Sequence, residues 1–135
     1  PIALKGILEP SDAIEARTRG IDAVWVSNHG GRQFEAAPAS ITVLPEIRAA
    51  VGPDYPLIFD GGVESGLDIL RACALGADLV MLGRAWHYAL GALGVRGAAH
   101  LVHILRADLI ANMAQIGIRR VGEAGSRLVP LSPTA

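Results

Sequence analysis

The sequence of 135 residues predicts an α/β fold built around a parallel sheet. Four short apolar runs each end in a polar or glycine-rich turn, and a helical pattern follows each run. This alternation is typical of consecutive βα units. The runs are continuously apolar, as expected for strands that are covered on both faces. Two architectures fit these observations: a doubly wound open sheet, and part of a (β/α)8 barrel.

The first unit begins with the apolar run of residues 1–4, which ends at Lys5-Gly6. A helix is expected to start at Ser11 or Asp12, because both residues are good N-caps. Glu15 follows Asp12 at the spacing of a capping box. The helix is expected to end near Gly20.

The other three units repeat this pattern with turns of different length. Their apolar runs lie at residues 23–26, 57–59 and 79–82. Their helices are expected at residues 43–51, 66–75, 86–93 and 98–116, the last two both following the fourth run.

Polar residues that are unusual for a core follow the ends of these runs: Lys5, Ser27, His29, Arg32, Asp60 and Arg84. Both architectures place their chemistry at the carboxyl ends of the strands, and barrels often bind phosphate in the loops after their last two strands. Asp60-Gly61-Gly62 and Gly83-Arg84 suit that role. The sequence therefore predicts the C-terminal half of a (β/α)8 barrel, strands five to eight, as one domain over residues 1–135.

Composition excludes several classes of protein. A net charge of −1 with 4% aromatic residues lacks the basic excess of a nucleic-acid-binding protein. No charge-free stretch reaches the ~18 apolar residues of a membrane span. The single cysteine, Cys73, excludes an internal disulfide, favours a reducing compartment such as the cytoplasm, and is expected to be a buried small residue.

The chain has no initiator methionine and enters an apolar run at once, so we expect it to be a fragment of a longer protein. Half a barrel leaves two strand edges and an apolar interior exposed. We therefore expect it to associate with the missing N-terminal half or with a partner chain.

The segment Ser27-Asn28-His29-Gly30-Gly31-Arg32-Gln33 carries the clearest chemistry. Histidine can accept a proton near neutral pH, and arginine can bind a carboxylate through two parallel hydrogen bonds. A base beside a carboxylate-binding group suits proton removal from a small organic acid. The alternative is a histidine that caps a strand and an arginine that faces solvent.

Lys5, the only lysine, is either an exposed residue at a strand end or a fixed positive charge beside an electron-accepting cofactor. The two glycine-rich turns have backbone N–H groups that can bind a phosphate, and Arg84 adds charge there.

Other candidates are assigned structural roles. His100 and His103 lie three residues apart on the last helix without a further metal ligand nearby. Trp86, His87 and Tyr88 are expected to be packing residues.

These residues resemble the FMN-dependent L-2-hydroxy-acid oxidases and dehydrogenases, which include glycolate oxidase, L-lactate dehydrogenase and L-mandelate dehydrogenase. The resemblance runs from Leu4-Lys5-Gly6 through His29-Gly30-Gly31-Arg32 and Asp60-Gly61-Gly62 to Leu82-Gly83-Arg84-Ala85. It covers nearly the whole chain and implies the C-terminal half of an FMN-binding (β/α)8 barrel.

The resemblance also implies roles for matching positions. His29 would be the active-site base and Arg32 would bind the substrate carboxylate. The cofactor site would consist of Lys5, Ser27, Asp60, Gly61, Gly62, Gly83 and Arg84, with Lys5 stabilising negative charge on reduced FMN. An L-2-hydroxy acid would be oxidised to the 2-oxo acid, with either the α-proton or the hydroxyl proton going to His29.

Two departures from the family pattern stand out. Glu64 occupies a position where the family usually has an arginine beside the FMN phosphate, which predicts weakened FMN affinity. The N-terminal half, which supplies a substrate-binding tyrosine and a carboxylate partner for the histidine, is absent, so the chain alone is expected to be inactive.

The resemblance further implies a homo-oligomer, a tetramer as in the family, with any membrane-anchoring segment outside this chain. The substrate side chain and the electron acceptor stay open. Two alternatives remain: a catalytically incomplete or degenerate flavin-binding half-barrel, and another FMN- or phosphate-binding barrel enzyme such as an isomerase.

Overall fold

The structure, a computed structural model, describes residues 1–129, so residues 130–135 of the predicted domain lie outside the described part. A four-stranded parallel sheet forms its centre, with the strands in the order β1-β2-β3-β4. The strands are β1 (Ala3–Ile7), β2 (Ala23–Val26), β3 (Leu57–Phe59) and β4 (Leu79–Val80). The predicted α/β fold with a parallel sheet is confirmed.

Five α-helices and two 3-10 helices connect or follow the strands in the described part of the chain. The α-helices are α1 (Pro10–Thr18), α2 (Ser40–Val51), α3 (Gly66–Ala74), α4 (Arg84–Leu93) and α5 (Arg96–Gln115). The 3-10 helices are His29–Gly31 and Val121–Arg127. Within residues 1–129, no helix combines the length and the apolar character needed to cross a membrane.

The sheet has one covered face and one open face. Val24, Val26, Leu57 and Phe59 are almost fully buried, and they pack in one core with residues of α1, α2 and α3. The opposite face carries side chains that alternate with these, and Leu79 there is 52% exposed. From the continuously apolar runs we expect both faces of the sheet to be buried. The described residues bury only the face that carries the helices.

The helix α1 begins earlier than the sequence predicts. Its first residue is Pro10, which suits a first helical turn because that turn has no acceptor for its N–H groups. The preceding residue, Glu9, makes no side-chain capping hydrogen bond. The predicted capping box of Asp12 and Glu15 is therefore wrong, and Asp12 lies inside the first turn.

The capping box of this fold lies at α3 instead. The Ser65 side chain accepts from the backbone N–H of Asp68, and the Asp68 carboxylate accepts from the backbone N–H of Ser65. The hydrogen bonds of the Ser65 hydroxyl and of neighbouring backbone N–H groups, with help from Arg71, lower the pKa of Asp68. This cap fixes where the turn after β3 ends and α3 begins.

Gly66, the first residue of α3, lies against the backbone of α5. A Cβ atom at Gly66 would stand 2.1 Å from the backbone nitrogen of Leu109. The Asp108 carboxylate accepts from the backbone N–H of Gly66 at 2.6 Å, so α5 also satisfies one of the N–H groups that α3 leaves free at its start. This contact fixes α3 and the glycine-rich turn before it.

Candidate active site

Residues from three strands meet at one edge of the open face. The Ser27 hydroxyl, directly after β2, donates to the Asp60 Oδ1 atom at 2.5 Å and accepts from the Lys5 Nζ atom at 2.9 Å. Lys5 Nζ also lies 3.3 Å from Asp60 Oδ2. Ser27 is 2% exposed, so the sheet buries the hydroxyl that joins these two charges.

Lys5 lies within β1 rather than at its end, contrary to the sequence prediction. The register of β1 against β2 shifts between Lys5 and Ile7, and Gly6 has a φ of 95° that permits this bulge. Lys5 pairs with Trp25, and its Nζ lies 4.9 Å from the centre of the Trp25 ring. The lysine is thus held between an aromatic ring, a hydroxyl and a carboxylate.

The loop after β2 has a strained backbone that projects His29 from the sheet. His29, Gly30 and Gly31 have φ values of 56°, 66° and 75° in succession. Positive φ is uncommon outside glycine and concentrates at functional sites. The Ser27 hydroxyl accepts from the backbone N–H of His29 at 3.1 Å, and Asn28 Oδ1 accepts from that of Gly30 at 3.0 Å. These bonds hold the exposed imidazole above the ends of the strands.

A cavity of about 340 Å³ opens at this edge of the sheet, and it contains the predicted residues of the loops after β2, β3 and β4. Those residues are His29, Arg32, Asp60, Gly61, Gly62, Gly83 and Arg84. Lys5 and Ser27 are not among the lining residues, but both contact Asp60, which is one of them. Within the described residues neither Arg32 nor Arg84 forms an ion pair, so both guanidinium groups are available to an anion.

The glycine-rich turns fit a phosphate in most respects. Gly61 and Gly62 have φ values of 122° and 70°, which other residues rarely adopt, and glycine-rich turns can bind an anion through their backbone N–H groups. A Cβ atom at Gly61 would stand 3.1 Å from the Ser40 hydroxyl, so the turn also needs glycine for close packing. Gly83 precedes α4 and leads directly to Arg84. Helix starts with free N–H groups favour anions.

Glu64 is the residue that does not fit an anion. It is exposed, lines the cavity, and forms no ion pair among the described residues. Its backbone N–H donates to Asp68 Oδ2 at 3.2 Å, so the backbone is fixed while the carboxylate stays free.

Among the cavity-lining residues that the sequence did not assign to the site, Trp25 and His87 carry ring nitrogen atoms. Trp25 lies on the open face, and its buried Nε1 atom has no hydrogen-bond partner among the described residues. The prediction that Trp86, His87 and Tyr88 are packing residues is wrong, because all three are exposed and Tyr88 is 68% exposed. They lie in the first turns of α4, where the helix borders the cavity.

Three residues for which the sequence predicts no catalytic or binding role, His100, His103 and Cys73, lie outside the cavity. His100 and His103 are exposed on α5, and no group of three metal-ligating side chains occurs within residues 1–129. Cys73 is only partly buried, and burial followed by the charge of Asp78 raises the pKa of its thiol.

The fold and site define a class of protein: a parallel βα protein with a cavity, lined by two arginines that form no ion pair among the described residues, beyond the carboxyl ends of its strands. Comparison with known proteins then identifies the family. The sequence model of the FMN-dependent dehydrogenases matches residues 1–130, and the chain belongs to that family.

Individual relatives agree with this assignment. The chain is 49% identical over 123 residues to an L-lactate oxidase of Alicycliphilus denitrificans, covering 91% of this chain and 34% of that protein. It is 44% identical over 126 residues to an L-lactate dehydrogenase of Chromohalobacter salexigens, covering 93% and 32%. A crystal structure of mandelate oxidase with (S)-4-hydroxymandelic acid superposes with a TM-score of 0.88 at 43% identity, covering 92% of this chain and 35% of that one. The chain thus spans about a third of the length of its relatives.

Proposed function

We propose that this chain forms the FMN-binding and catalytic C-terminal half of an enzyme that oxidises an L-2-hydroxy acid of the lactate, glycolate or mandelate type. The observation that carries the proposal is the cavity at the carboxyl ends of β2, β3 and β4. It brings a proton acceptor, His29, and a free carboxylate-binding group, Arg32, next to two glycine-rich turns that suit a phosphate. The family assignment supports this combination of groups.

The sheet supports the half-barrel architecture. Its strands follow one another without a reversal of order, and the helices α1, α2 and α3 contribute to a single core on one face. Trp25, Ile58 and Leu79 share register on the other face, as expected for the interior of a barrel. Four further strands would close the sheet over these side chains.

The bound FMN would supply the two-electron acceptor of the reaction. Gly61, Gly62, Gly83 and Arg84 would hold its phosphate-bearing end, because these residues line the same cavity and a phosphate is bound by backbone N–H groups and cationic side chains. Lys5 would place its charge near the ring, at the position set by Ser27 and Asp60. A cation held in a fixed position favours negative charge in its vicinity.

His29 would take the proton through its Nε2 atom. The amide nitrogen of Gln33 lies 3.2 Å from His29 Nδ1. An amide nitrogen can only donate, which would place the ring proton on Nε2 and leave no base there. Rotation of the Gln33 amide presents its oxygen to Nδ1 instead, and Nε2 is then free to accept. Arg32 would orient the substrate through its carboxylate.

A visible spectrum recorded without oxygen tests this function. Two proteins are compared: the chain itself, and a chimera in which residues 1–129 replace the homologous third of the L-lactate oxidase relative. Each is loaded with FMN and mixed with L-lactate, glycolate or L-mandelate. We expect the flavin band to bleach in the chimera and the chain alone to bind FMN without bleaching.

Matched variants connect the bleaching to the cavity. His29→Asn and Arg32→Met should abolish it, whereas His100→Asn and Arg119→Met change exposed residues outside the cavity and should leave it intact. Bleaching that survives His29→Asn would refute the proposed role of the histidine. A chimera that binds no FMN would refute the proposed cofactor site.

A second candidate function is flavin binding without turnover, and the free carboxylate of Glu64 in the cavity favours it. Another FMN-dependent barrel chemistry, such as isomerisation, would also leave these hydroxy acids unoxidised. In either case the chimera would bind FMN and no hydroxy acid would bleach it. Assembly into a tetramer stays a prediction that light scattering can test.

A further inference from the structure

A second histidine, His87, lies in the cavity on the first turn of α4. Its Nδ1 atom lies 3.0 Å from the Gly83 carbonyl oxygen. A carbonyl oxygen only accepts, so Nδ1 must carry the proton in this contact. The neutral ring then has its lone pair on Nε2, and protonation there adds a second donor and a positive charge.

The helix directs His87 and Arg84 to the same place. The two residues are three positions apart, so they are neighbours on one face of α4. Helical side chains lean towards the N-terminus of their helix, where the first backbone N–H groups have no helical acceptor. Both side chains line the cavity next to Gly83. An anion at the start of α4 would meet both.

The charges around the cavity show why a second cation matters. Of the charged lining residues, Arg32 and Arg84 are positive and Asp60 and Glu64 are negative. Asp60 is already paired with Lys5 at 3.3 Å. The free carboxylate of Glu64 therefore offsets one of the two guanidinium groups, and a protonated His87 would add a further positive charge for a phosphate.

We propose that His87 is a phosphate-binding residue of this site that becomes protonated when FMN binds. The inference rests on the proposed function and extends it to a residue that no motif marks. A nearby dianion favours the charged form of an imidazole, so binding takes up a proton. Imidazole is the side chain whose charge changes around neutral pH, so a phosphate contact that needs its charged form is stronger in mild acid than in mild base.

The other groups facing His87 do not supply this pH dependence. Across the cavity lie Glu64 and Asp60 after β3, and His29 and Arg32 after β2. The helix α5 packs on α4 at Gly97, and none of its residues lines the cavity. Carboxylates and guanidinium groups as classes do not change charge between pH 6 and pH 8. His29 is the other histidine among the lining residues, and it is present in every variant used below.

The test is the dissociation constant of FMN at pH 6 and pH 8, measured from the quenching of flavin fluorescence in the chain and in the chimera. His87→Asn keeps a donor to the Gly83 carbonyl but cannot become charged. His100→Asn, at an exposed residue of α5, is the matched control. Riboflavin, which lacks the phosphate, is titrated in parallel.

At pH 6 we expect His87→Asn to weaken FMN binding about fivefold, the scale of one partly exposed charge pair. At pH 8 the variant and the unchanged protein should converge. Riboflavin binding should not differ between them at either pH. The phosphate of FMN has its own ionisation near pH 6, but this affects all variants alike and cancels in the ratio.

Three outcomes would overturn the inference. Equal FMN affinity in His87→Asn at both pH values would show that the ring does not contact the phosphate. Equal losses for FMN and riboflavin would show that His87 only supports the start of α4. FMN binding by neither protein would refute the proposed function itself and the inference with it.

Discussion

The Ser27 hydroxyl joins the lysine, the carboxylate and the histidine loop of the candidate site, so Ser27→Ala is the most informative single change. The hydroxyl makes three hydrogen bonds, to Asp60 Oδ1 at 2.5 Å, Lys5 Nζ at 2.9 Å and the backbone N–H of His29 at 3.1 Å. Substitution by alanine removes all three hydrogen bonds and does not require the backbone to change.

The cost can be worked from the exposure of the partners. The Lys5 side chain is 38% exposed and retains Asp60 at 3.3 Å, so water can replace its lost bond. The Asp60 side chain is only 17% exposed and loses its shortest hydrogen bond. The His29 N–H also loses its acceptor. An unsatisfied buried group costs about 1–3 kcal/mol, so two such groups with partial rehydration give about 3 kcal/mol.

Urea unfolding followed by tryptophan fluorescence measures this loss. The matched control is Ser40→Ala, because Ser40 is as buried as Ser27 but its hydroxyl accepts only one bond, from the backbone N–H of Asn28 at 2.9 Å. We expect the control to lose about 1 kcal/mol. In a Trp86→Phe background the only tryptophan is Trp25, whose ring lies 4.9 Å from Lys5 Nζ, so its emission also reports whether Lys5 has moved.

The reasoning fails if Ser27→Ala is no less stable than Ser40→Ala. That result would mean that water or Lys5 satisfies Asp60 Oδ1 and the His29 N–H once the hydroxyl is gone. Unaltered Trp25 emission in Ser27→Ala would independently contradict the idea that Ser27 positions the lysine.

Three further predictions follow from single contacts. Glu64→Arg should tighten FMN binding about tenfold. This is well below the Coulomb energy of an unscreened charge pair with the phosphate, because the side chain is exposed. An unchanged dissociation constant in a calorimetric titration would contradict the prediction. Gly66→Ala should lower the free energy of unfolding by more than about 3 kcal/mol, since its Cβ would stand 2.1 Å from a backbone nitrogen of α5. The control Gly91→Ala has open space and should be neutral or slightly stabilising. The Ser65 hydroxyl lowers the pKa of Asp68. The stability that this carboxylate provides is therefore present above its unfolded pKa and is lost as the pH falls through the lower folded pKa. In Asp68→Asn the midpoint of urea unfolding should decrease less between pH 5 and pH 2 than in the unchanged protein.

The sequence predicts the central strands better than the outer ones. The bounds of β2 and β3 agree with the predicted runs, because each run is apolar throughout and ends at a polar or glycine residue. The strand β1 continues through Gly6 to Ile7, and β4 ends at Val80 although the apolar run continues to Leu82. Both deviations lie on edge strands, where pairing with one neighbour alone decides the length.

The site was predictable where residues are close in sequence. His29 and Arg32 share one motif, and Gly83 and Arg84 share another, so spacing alone places each pair. The hydrogen bonds that Ser27 makes to Lys5 and Asp60 span 22 and 33 residues and depend on the register of the strands. No local pattern encodes such a contact. His87 was missed for a related reason, because a histidine in an apolar helix has no signature until the helix is placed beside the cavity.

The open face of the sheet bears on the choice between the doubly wound sheet and the barrel, of which the sequence predicts the barrel. In a doubly wound sheet the strand order reverses once, and right-handed crossovers then put helices on both faces. Here the order β1-β2-β3-β4 has no reversal within the described residues, so crossovers of one hand keep the helices on one side. A second helical layer therefore has no place in these units, yet Ile58 and Leu79 are apolar on the other face. Closure of the sheet into the proposed barrel would bury that face, and the remaining strands would then cover Trp25 and Lys5.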